Sequence, residues 1–123
     1  KIKYIVTSPE TDMYKINGIW ITPWHPVKYN GVWTFPEMID ENPTLNKLKS
    51  YNLVLENGNS VYLGPNQLET ITLGHKLVGK VVSHPYFGSG LVLADLEHIS
   101  NNGVVNVTKF TRNIHTRLID GMF

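Results

Sequence analysis

The sequence predicts an all-β domain, and two features carry that prediction. The dipeptide Asn-Gly occurs between alternating strand-type runs at positions 17–18, 30–31 and 57–58. Asn-Gly favours a two-residue hairpin turn because that turn needs positive φ at both central positions. Several other segments are rich in β-branched residues, as strands are. We therefore expect a meander of short antiparallel strands and hairpins.

The predicted strands follow one another along the chain. Residues 1–7 form a first strand, because apolar residues alternate with polar ones over most of its length. Each Asn-Gly then joins two strands, and the predicted hairpins cover residues 13–22, 27–35 and 51–63. Two further strands are predicted at 69–73 and 104–110, which are rich in β-branched residues.

Two segments depart from the strand pattern. Residues 37–50 are polar and contain Pro43, which predicts a loop with one helical turn at 44–49. Residues 89–99 predict one short amphipathic helix with Ser89 as its N-cap, ending at the Asn-Asn-Gly of 101–103. Its apolar residues have three- and four-residue spacings, namely Val92, Leu93, Leu96 and Ile99.

Length and composition fit a single domain spanning residues 1–123. Hydrophobic residues make up 41% and charged residues 17% of the chain, which favours a packed core over disorder. The net charge of +1 predicts no nucleic-acid partner. No apolar run approaches the roughly 20 residues of a membrane span. The absence of cysteine excludes a disulfide, a thiolate metal site or a cysteine nucleophile within these residues, and leaves the compartment open.

The most unusual stretch is Thr22-Pro23-Trp24-His25-Pro26, in which two prolines restrict the backbone around His25. Imidazole exchanges a proton near neutral pH, and Thr22 adds a hydroxyl donor, so the pair is a candidate for proton-transfer chemistry. The same residues are compatible with a packed corner. In that alternative Trp24 lies in the core and His25 bonds to the backbone.

Two other histidines are candidates for function or for packing. His75 follows Leu73-Gly74 at the end of a predicted strand, as either a catalytic or ligand residue or a turn histidine. His84 begins a His-Pro-Tyr-Phe-Gly block, for which packing is expected. No short ligand spacing such as H-E-x-x-H links these histidines to His25, so no metal site is predicted.

Five blocks, taken in order, resemble the Hint superfamily of hedgehog and intein autoprocessing domains, and in particular its Vint branch, which occurs beside von Willebrand A modules. The blocks are Ile21–Val27, Trp33–Pro36, Tyr51–Leu55, Thr72–His75 and His84–Gly88. The resemblance extends from Lys1 to Phe123. It implies a horseshoe-shaped all-β domain with pseudo-twofold symmetry.

The resemblance also implies a reaction that needs no cofactor. In the superfamily an N-terminal Cys, Ser or Thr attacks the preceding carbonyl and converts a peptide bond into a thioester or ester. Thr22 and His25 match the T-x-x-H block, which binds the scissile amide and assists the loss of its nitrogen. Asn52 stands at the aspartate of a Tyr-Asp-Leu block, and His75 belongs to a Leu-Gly-His block. The partner implied is the flanking polypeptide of the domain's own precursor.

The sequence departs from the active pattern of this superfamily. The block with the nucleophile is expected before Lys1, so the chain alone is expected to be inactive or incomplete. A strand from the precursor or from another chain would then complete it; a degenerate scaffold is the other reading. Asn59 and Thr70 replace the His and Cys often found in related domains, and residues 120–123 lack the His-Asn needed to release a C-terminal segment by splicing. A different class also remains: a non-catalytic β module that binds a protein or peptide through exposed aromatic residues such as Trp24.

Overall fold

The structure is a computed structural model, and it describes residues 1–39, 45–100 and 102–123. Within these ranges most of the regular structure is strand, so the predicted all-β class with one short helix is confirmed. The α-helix α1 is Gly90–Ile99, and a 3₁₀ helix covers Pro36–Met38. The strands are β1 (Ile2–Ile16), β2 (Ile19–Ile21), β3 (Val27–Tyr29), β4 (Val32–Thr34), β5 (Leu45–Leu55), β6 (Ser60–Leu63), β7 (Leu68–Ile71), β8 (Val104–Asn106), β9 (Phe110–Arg112) and β10 (Ile119–Met122).

The first sheet is built on β1, which pairs antiparallel with β5 over almost its whole length, beginning with Ile2 opposite Leu55. β2 pairs antiparallel with the end of β1, and β8 pairs parallel with its beginning. Pro9 lies inside β1, and the register shifts around it, between Ser8 and Glu10. A bulge tolerates proline because a residue there need not donate an N–H to the ladder.

The second sheet has the strand order β4-β3-β7-β6, and all its neighbours are antiparallel. β9 and β10 form a separate two-stranded ribbon. Consecutive strands β5 and β6 belong to different sheets, and each is the end strand of its own sheet. The chain is therefore not the simple meander that the sequence predicts.

Two of the three predicted hairpins are confirmed. Asn17-Gly18 joins β1 to β2 with φ of 48° and 84°, and Asn30-Gly31 joins β3 to β4 with φ of 52° and 79°. The third, at residues 51–63, is wrong, because β5 pairs with β1 while β6 pairs with β7. Within Asn57-Gly58 only the glycine has positive φ, 97°. Type I′ needs positive φ at both central positions and type II′ needs it at the first, so neither favoured hairpin turn forms here.

Other strand boundaries also differ from the sequence prediction. Residues 45–49, predicted as a helical turn, belong to β5; the rest of that predicted turn, Thr44, lies outside the described residues. The separate strands predicted at 1–7 and 13–16 are one continuous strand. The strand predicted at 104–110 divides into β8 and β9, and the strand predicted at 69–73 is confirmed as β7 for residues 69–71 but not for 72–73. The side chains of residues 45–49 are exposed or half-buried. Backbone pairing with β1 therefore holds this part of β5, and no local sequence pattern predicts that pairing.

The predicted helix is confirmed as α1. The Ser89 hydroxyl accepts a hydrogen bond from the backbone N–H of Leu91 at 3.2 Å, which satisfies one free N–H of the first turn. Val92 and Leu96 are buried, and Ser100 is the C-cap. The predicted stop at 101–103 is described only for Asn102 and Gly103, which both have positive φ.

The buried apolar residues form two clusters. The larger one joins α1 to the first sheet and the C-terminal ribbon: Val6, Val54, Leu73, Tyr86, Val92, Leu96, Val105, Val107 and Met122. The smaller one joins the first two hairpins to β7: Ile16, Ile21, Val27 and Leu68. Among the described residues no helix has the length and apolar character needed to cross a membrane.

Candidate functional site

The Thr22–Pro26 block forms a tight corner between β2 and β3. The carbonyl of Thr22 accepts a hydrogen bond from the N–H of His25 at 3.2 Å. The carbonyl of Pro23 accepts one from the N–H of Glu37 at 3.0 Å, which fastens the corner to the 3₁₀ helix. The two prolines and these two bonds hold the backbone of His25 in one position.

The His25 imidazole is partly enclosed and directed toward β7. Its Nε2 lies 3.3 Å from the carbonyl oxygen of Ile71. Since a carbonyl only accepts, Nε2 carries the proton and Nδ1 keeps the lone pair in the neutral ring. Burial lowers the pKa of His25 to about 4; the Ile71 carbonyl works against this shift, and nearby His75 adds to it. His25 is therefore neutral at pH 7 and has one nitrogen able to take a proton.

Trp24 does not lie in the core. Its side chain is 62% exposed, and its ring meets that of Phe35 edge to face at a centroid distance of 5.2 Å. The packed-corner alternative was therefore wrong about the tryptophan, although His25 does contact a backbone carbonyl as that alternative required. The prolines turn the corner so that adjacent side chains point in opposite directions, one outward and one toward β7.

A cleft of about 380 Å³ lies beside His25, bordered by the end of β2, the middle of β5, and β6 and β7. It brings together three of the four predicted site residues, Thr22, His25 and Asn52. Thr22 and Asn52 are both half-buried, so neither residue is sealed in the core. The volume falls within the range of small-molecule and peptide side-chain sites.

His75, the fourth predicted residue, does not line this cleft. It is 7% exposed, and its Nδ1 accepts a hydrogen bond from the N–H of Leu77 at 2.8 Å. Its Nε2 is buried without a hydrogen-bond partner among the described residues. Burial lowers the pKa of His75, and the Val82 carbonyl opposes that shift without reaching hydrogen-bonding geometry. His75 is thus a neutral, enclosed imidazole outside the lining of the cleft.

A comparison with protein families decides the identity of this fold. The family model named Vint, described as a Hint-domain, matches residues 1–121, almost the whole chain. The chain belongs to the Vint family of Hint domains. A comparison with curated proteins gives no match. Family membership confirms the resemblance carried by the five sequence blocks, and makes the protein a domain of the autoprocessing type.

In this Vint domain His84 has a structural contact that sequence reasoning missed. Its Nδ1 accepts hydrogen bonds from the N–H groups of Tyr86 at 3.2 Å and Phe87 at 3.0 Å. Burial lowers the pKa of His84, and the neighbouring His75 lowers it further. The His-x-Tyr spacing was the available signal, because a side-chain acceptor two residues before an N–H is a common turn device.

Thr70, which stands where related domains often have cysteine, also has a structural contact in the Vint domain. It is buried, and its hydroxyl donates to the carbonyl of Pro26 at 2.8 Å, joining β7 to the corner that carries His25. The Ile71 carbonyl that fixes His25 is likewise on β7. Backbone carbonyls have no sequence signature, so this part of the site could not be predicted.

In the described part of the Vint domain, no group of three or more His, Asp or Glu residues is placed to hold a metal ion. For two of the histidines, existing hydrogen bonds explain why they are poor metal ligands. Nδ1 of His75 and Nδ1 of His84 already accept backbone N–H bonds, so neither nitrogen has a lone pair to offer.

Proposed function

We propose that this Vint domain cleaves its own precursor through an N-to-S or N-to-O acyl shift, and that Thr22 and His25 act on a scissile peptide group held in the cleft. The observation that carries the proposal is the neutral His25 imidazole at the wall of a cleft shared with Thr22 and Asn52. A neutral imidazole has a lone pair that can accept a proton from a group bound in the cleft, which is the first requirement of a general base.

The acyl shift exchanges one bond at the carbonyl carbon for another. The oxygen of a hydroxyl or the sulfur of a thiol bonds to the carbon, the C–N bond breaks, and an ester or thioester and a free amine result. Water or an added nucleophile then attacks that ester or thioester and separates the upstream segment. The nucleophile must lose a proton and the departing nitrogen must gain one. Nδ1 of His25 takes the first proton and returns it to the nitrogen, while Nε2 stays bonded to the Ile71 carbonyl.

Thr22 and Asn52 have supporting roles in this proposal. The Thr22 hydroxyl donates a hydrogen bond to the scissile amide, which twists or polarises it before attack. The Asn52 side chain, across the cleft on β5, orients the carbonyl through its amide group. His75 is assigned a positioning role in the turn that follows β7, where it is buried and packs against Gly88.

The nucleophile is proposed to lie in a segment that precedes Lys1 in the precursor. Residues 1–123 are then the larger part of a single domain, completed by an N-terminal strand, and are inactive alone. The partner in the reaction is the precursor's own flanking polypeptide, and the chemistry uses side chains without a cofactor.

The proposal is tested on a precursor that extends upstream of Lys1. Intact mass is followed over time with and without dithiothreitol or hydroxylamine, which intercept a thioester; hydroxylamine also intercepts an ester. We expect cleavage that these nucleophiles accelerate, loss of cleavage in His25→Ala, and slower cleavage in Thr22→Val. His115→Ala is the matched control, because that histidine is exposed and distant in sequence from the corner.

Equal cleavage rates for the wild type and His25→Ala would remove His25 from the reaction. A precursor mass that stays constant would instead favour the second candidate, a module that binds a protein or peptide. The exposed Trp24 ring is the observation that favours it. In that case truncation of Trp24 or Trp33 to alanine lowers partner affinity.

A further inference from the structure

We infer that the cleft beside His25 selects an uncharged, apolar side chain of an extended polypeptide, and that Val61 and Leu63 of β6 set this preference. The inference rests on the proposed function for the identity of that polypeptide, the flanking segment of the precursor. It adds the chemical class of residue that this segment places next to the reacting group.

The walls of the cleft are mostly apolar. Carbon-rich side chains from four strands line it: Met13, Trp20, Ile21, Leu48, Leu53, Val61 and Leu63. Among the lining residues that the structure describes, the one formal charge is the cation of Lys49, and no carboxylate faces the cavity. A lysine or arginine side chain entering here would lose hydration and gain no anionic partner, which is costly for a charge.

The position of the cleft favours an extended segment as its occupant. It lies between β5 and β6, which are the end strands of the two sheets. An end strand presents backbone N–H and C=O groups that an incoming strand can pair with, while its side chains form pockets for alternate residues. The carbonyl of Leu53 on β5 already accepts a hydrogen bond from the N–H of Leu73 at 2.9 Å, so an incoming segment would pair elsewhere along β5 or along β6. Backbone pairing therefore positions the segment, and the apolar pocket accepts one of its side chains.

Strand alternation identifies the residues of β6 that contact this side chain. Val61 and Leu63 both line the cleft and are half-buried. Tyr62 lies between them, is absent from the lining, and is 65% exposed. Successive side chains of a strand point to opposite faces, so Tyr62 provides a control at the neighbouring position on the same backbone.

The test uses the 123-residue chain and two probes of matched length, N-acetyl-norleucine N-methylamide and N-acetyl-lysine N-methylamide. Binding is followed by chemical-shift changes in ¹H–¹⁵N spectra at Leu48, Val61 and Leu63. We expect the norleucine probe to bind about tenfold more tightly than the lysine probe. Equal affinities, or shifts that lie outside the cleft, would overturn the inference.

Variants locate the preference on β6. Val61→Asp is expected to abolish binding of the norleucine probe, and the milder Leu63→Ala to weaken it several-fold. Tyr62→Asp and Tyr62→Ala are expected to keep the wild-type affinity. If Val61→Asp fails to give a dispersed spectrum, Leu63→Ala against Tyr62→Ala decides the question, and equal affinities for those two refute the role of β6.

A second comparison, made with precursors, separates this inference from the proposed function. Precursors that carry an apolar or a lysine residue beside the scissile bond are compared by intact mass. If the precursors cleave at equal rates and the two probes bind equally, the apolar preference is refuted while the proposed self-cleavage is retained. Probe discrimination in a domain whose precursor never cleaves supports the preference and removes the proposed reaction.

Discussion

The imidazole of His75 lies against the backbone of Gly88, so closely that a Cβ added at that glycine would come within 3.1 Å of both Cε1 and Nε2. Two backbone hydrogen bonds reinforce this contact, from the N–H of Gly74 to the carbonyl of Phe87 at 2.7 Å and from Lys76 to Gly88 at 2.8 Å. The Leu-Gly-His and His-Pro-Tyr-Phe-Gly blocks therefore hold each other in place.

Gly88→Ala is expected to lower the free energy of unfolding by about 1–3 kcal/mol, because the added methyl group meets the His75 ring and the His84 carbonyl, at 2.9 Å. Urea denaturation measures the change. Gly90→Ala is the matched control: a Cβ there meets nothing within 4 Å, and alanine favours the first turn of α1. Equal stabilities for the two variants would mean that the His75 contact does not constrain the fold.

Tyr86→Phe is expected to destabilise the domain by about 1–3 kcal/mol. The Tyr86 side chain is 1% exposed, and its hydroxyl donates to Oδ2 of Asp95 on α1 at 2.6 Å. Burial raises the pKa of Tyr86 and the bond to Asp95 raises it further, so the hydroxyl keeps its proton. Removing the donor leaves a half-buried carboxylate without that bond.

Thermal or urea unfolding, with Tyr51→Phe as control, checks this prediction. Tyr51 is 64% exposed, so its hydroxyl reaches water in either case. A loss of stability confined to Tyr86→Phe is the expected result. If both substitutions have the same small effect, the bond to α1 contributes little.

Stability is expected to fall as the pH is lowered from 6.5 toward 5. Burial sets the pKa of His25 at about 4, below the 6.5 of an exposed imidazole, so the unfolded chain takes up a proton in this range while the folded chain does not. The contribution is complete above pH 6.5 and is lost as pH falls toward 4. It amounts to about 2 kcal/mol between pH 6.5 and 5.

Burial lowers the pKa values of His75 and His84 as well, so both add to the same slope. Free energies of unfolding measured at several pH values test this, with His25→Gln as the variant. The variant is expected to lose less stability than the wild type over the range. Parallel curves for the two proteins would show that His25 titrates alike in the folded and unfolded chains.

Ser89→Ala is expected to destabilise the domain by about 1 kcal/mol, because its hydroxyl caps the Leu91 N–H at the start of α1. The same hydroxyl also donates toward the carbonyls of Pro85 and Tyr86. Ser100→Ala, at the other end of α1, keeps its backbone N–H bond to Leu96 and serves as control. A loss of helical circular dichroism at lower urea concentration in Ser89→Ala alone is the expected result.

The candidate site was predicted in part. The Thr22–Pro26 block singled out His25, and the structure does place Thr22, His25 and Asn52 around one cleft. Their catalytic roles stay predictions. The resemblance groups His75 with them through its Leu-Gly-His block, yet His75 does not line the cleft, because the hydrogen bond from the Leu77 N–H fixes its ring, which packs against Gly88. The sequence predicts Val61 and Leu63 only as strand residues, because alternation shows which residues share a face of the strand but not what packs against that face.

Elements that depend on local chemistry can be predicted from the sequence alone. Asn-Gly pairs supply the two positive φ values of two hairpins, and a serine cap with regularly spaced apolar residues specifies α1. Which strands pair with each other depends instead on tertiary contacts. β5 contains polar residues and follows a proline, but β1 offers it a long antiparallel partner. The backbone groups of a strand can pair with any neighbouring strand, and the cross-strand side-chain contacts that select the partner come from distant parts of the sequence. The partner of a strand, and with it the cleft between β5 and β6, therefore depends on the whole chain.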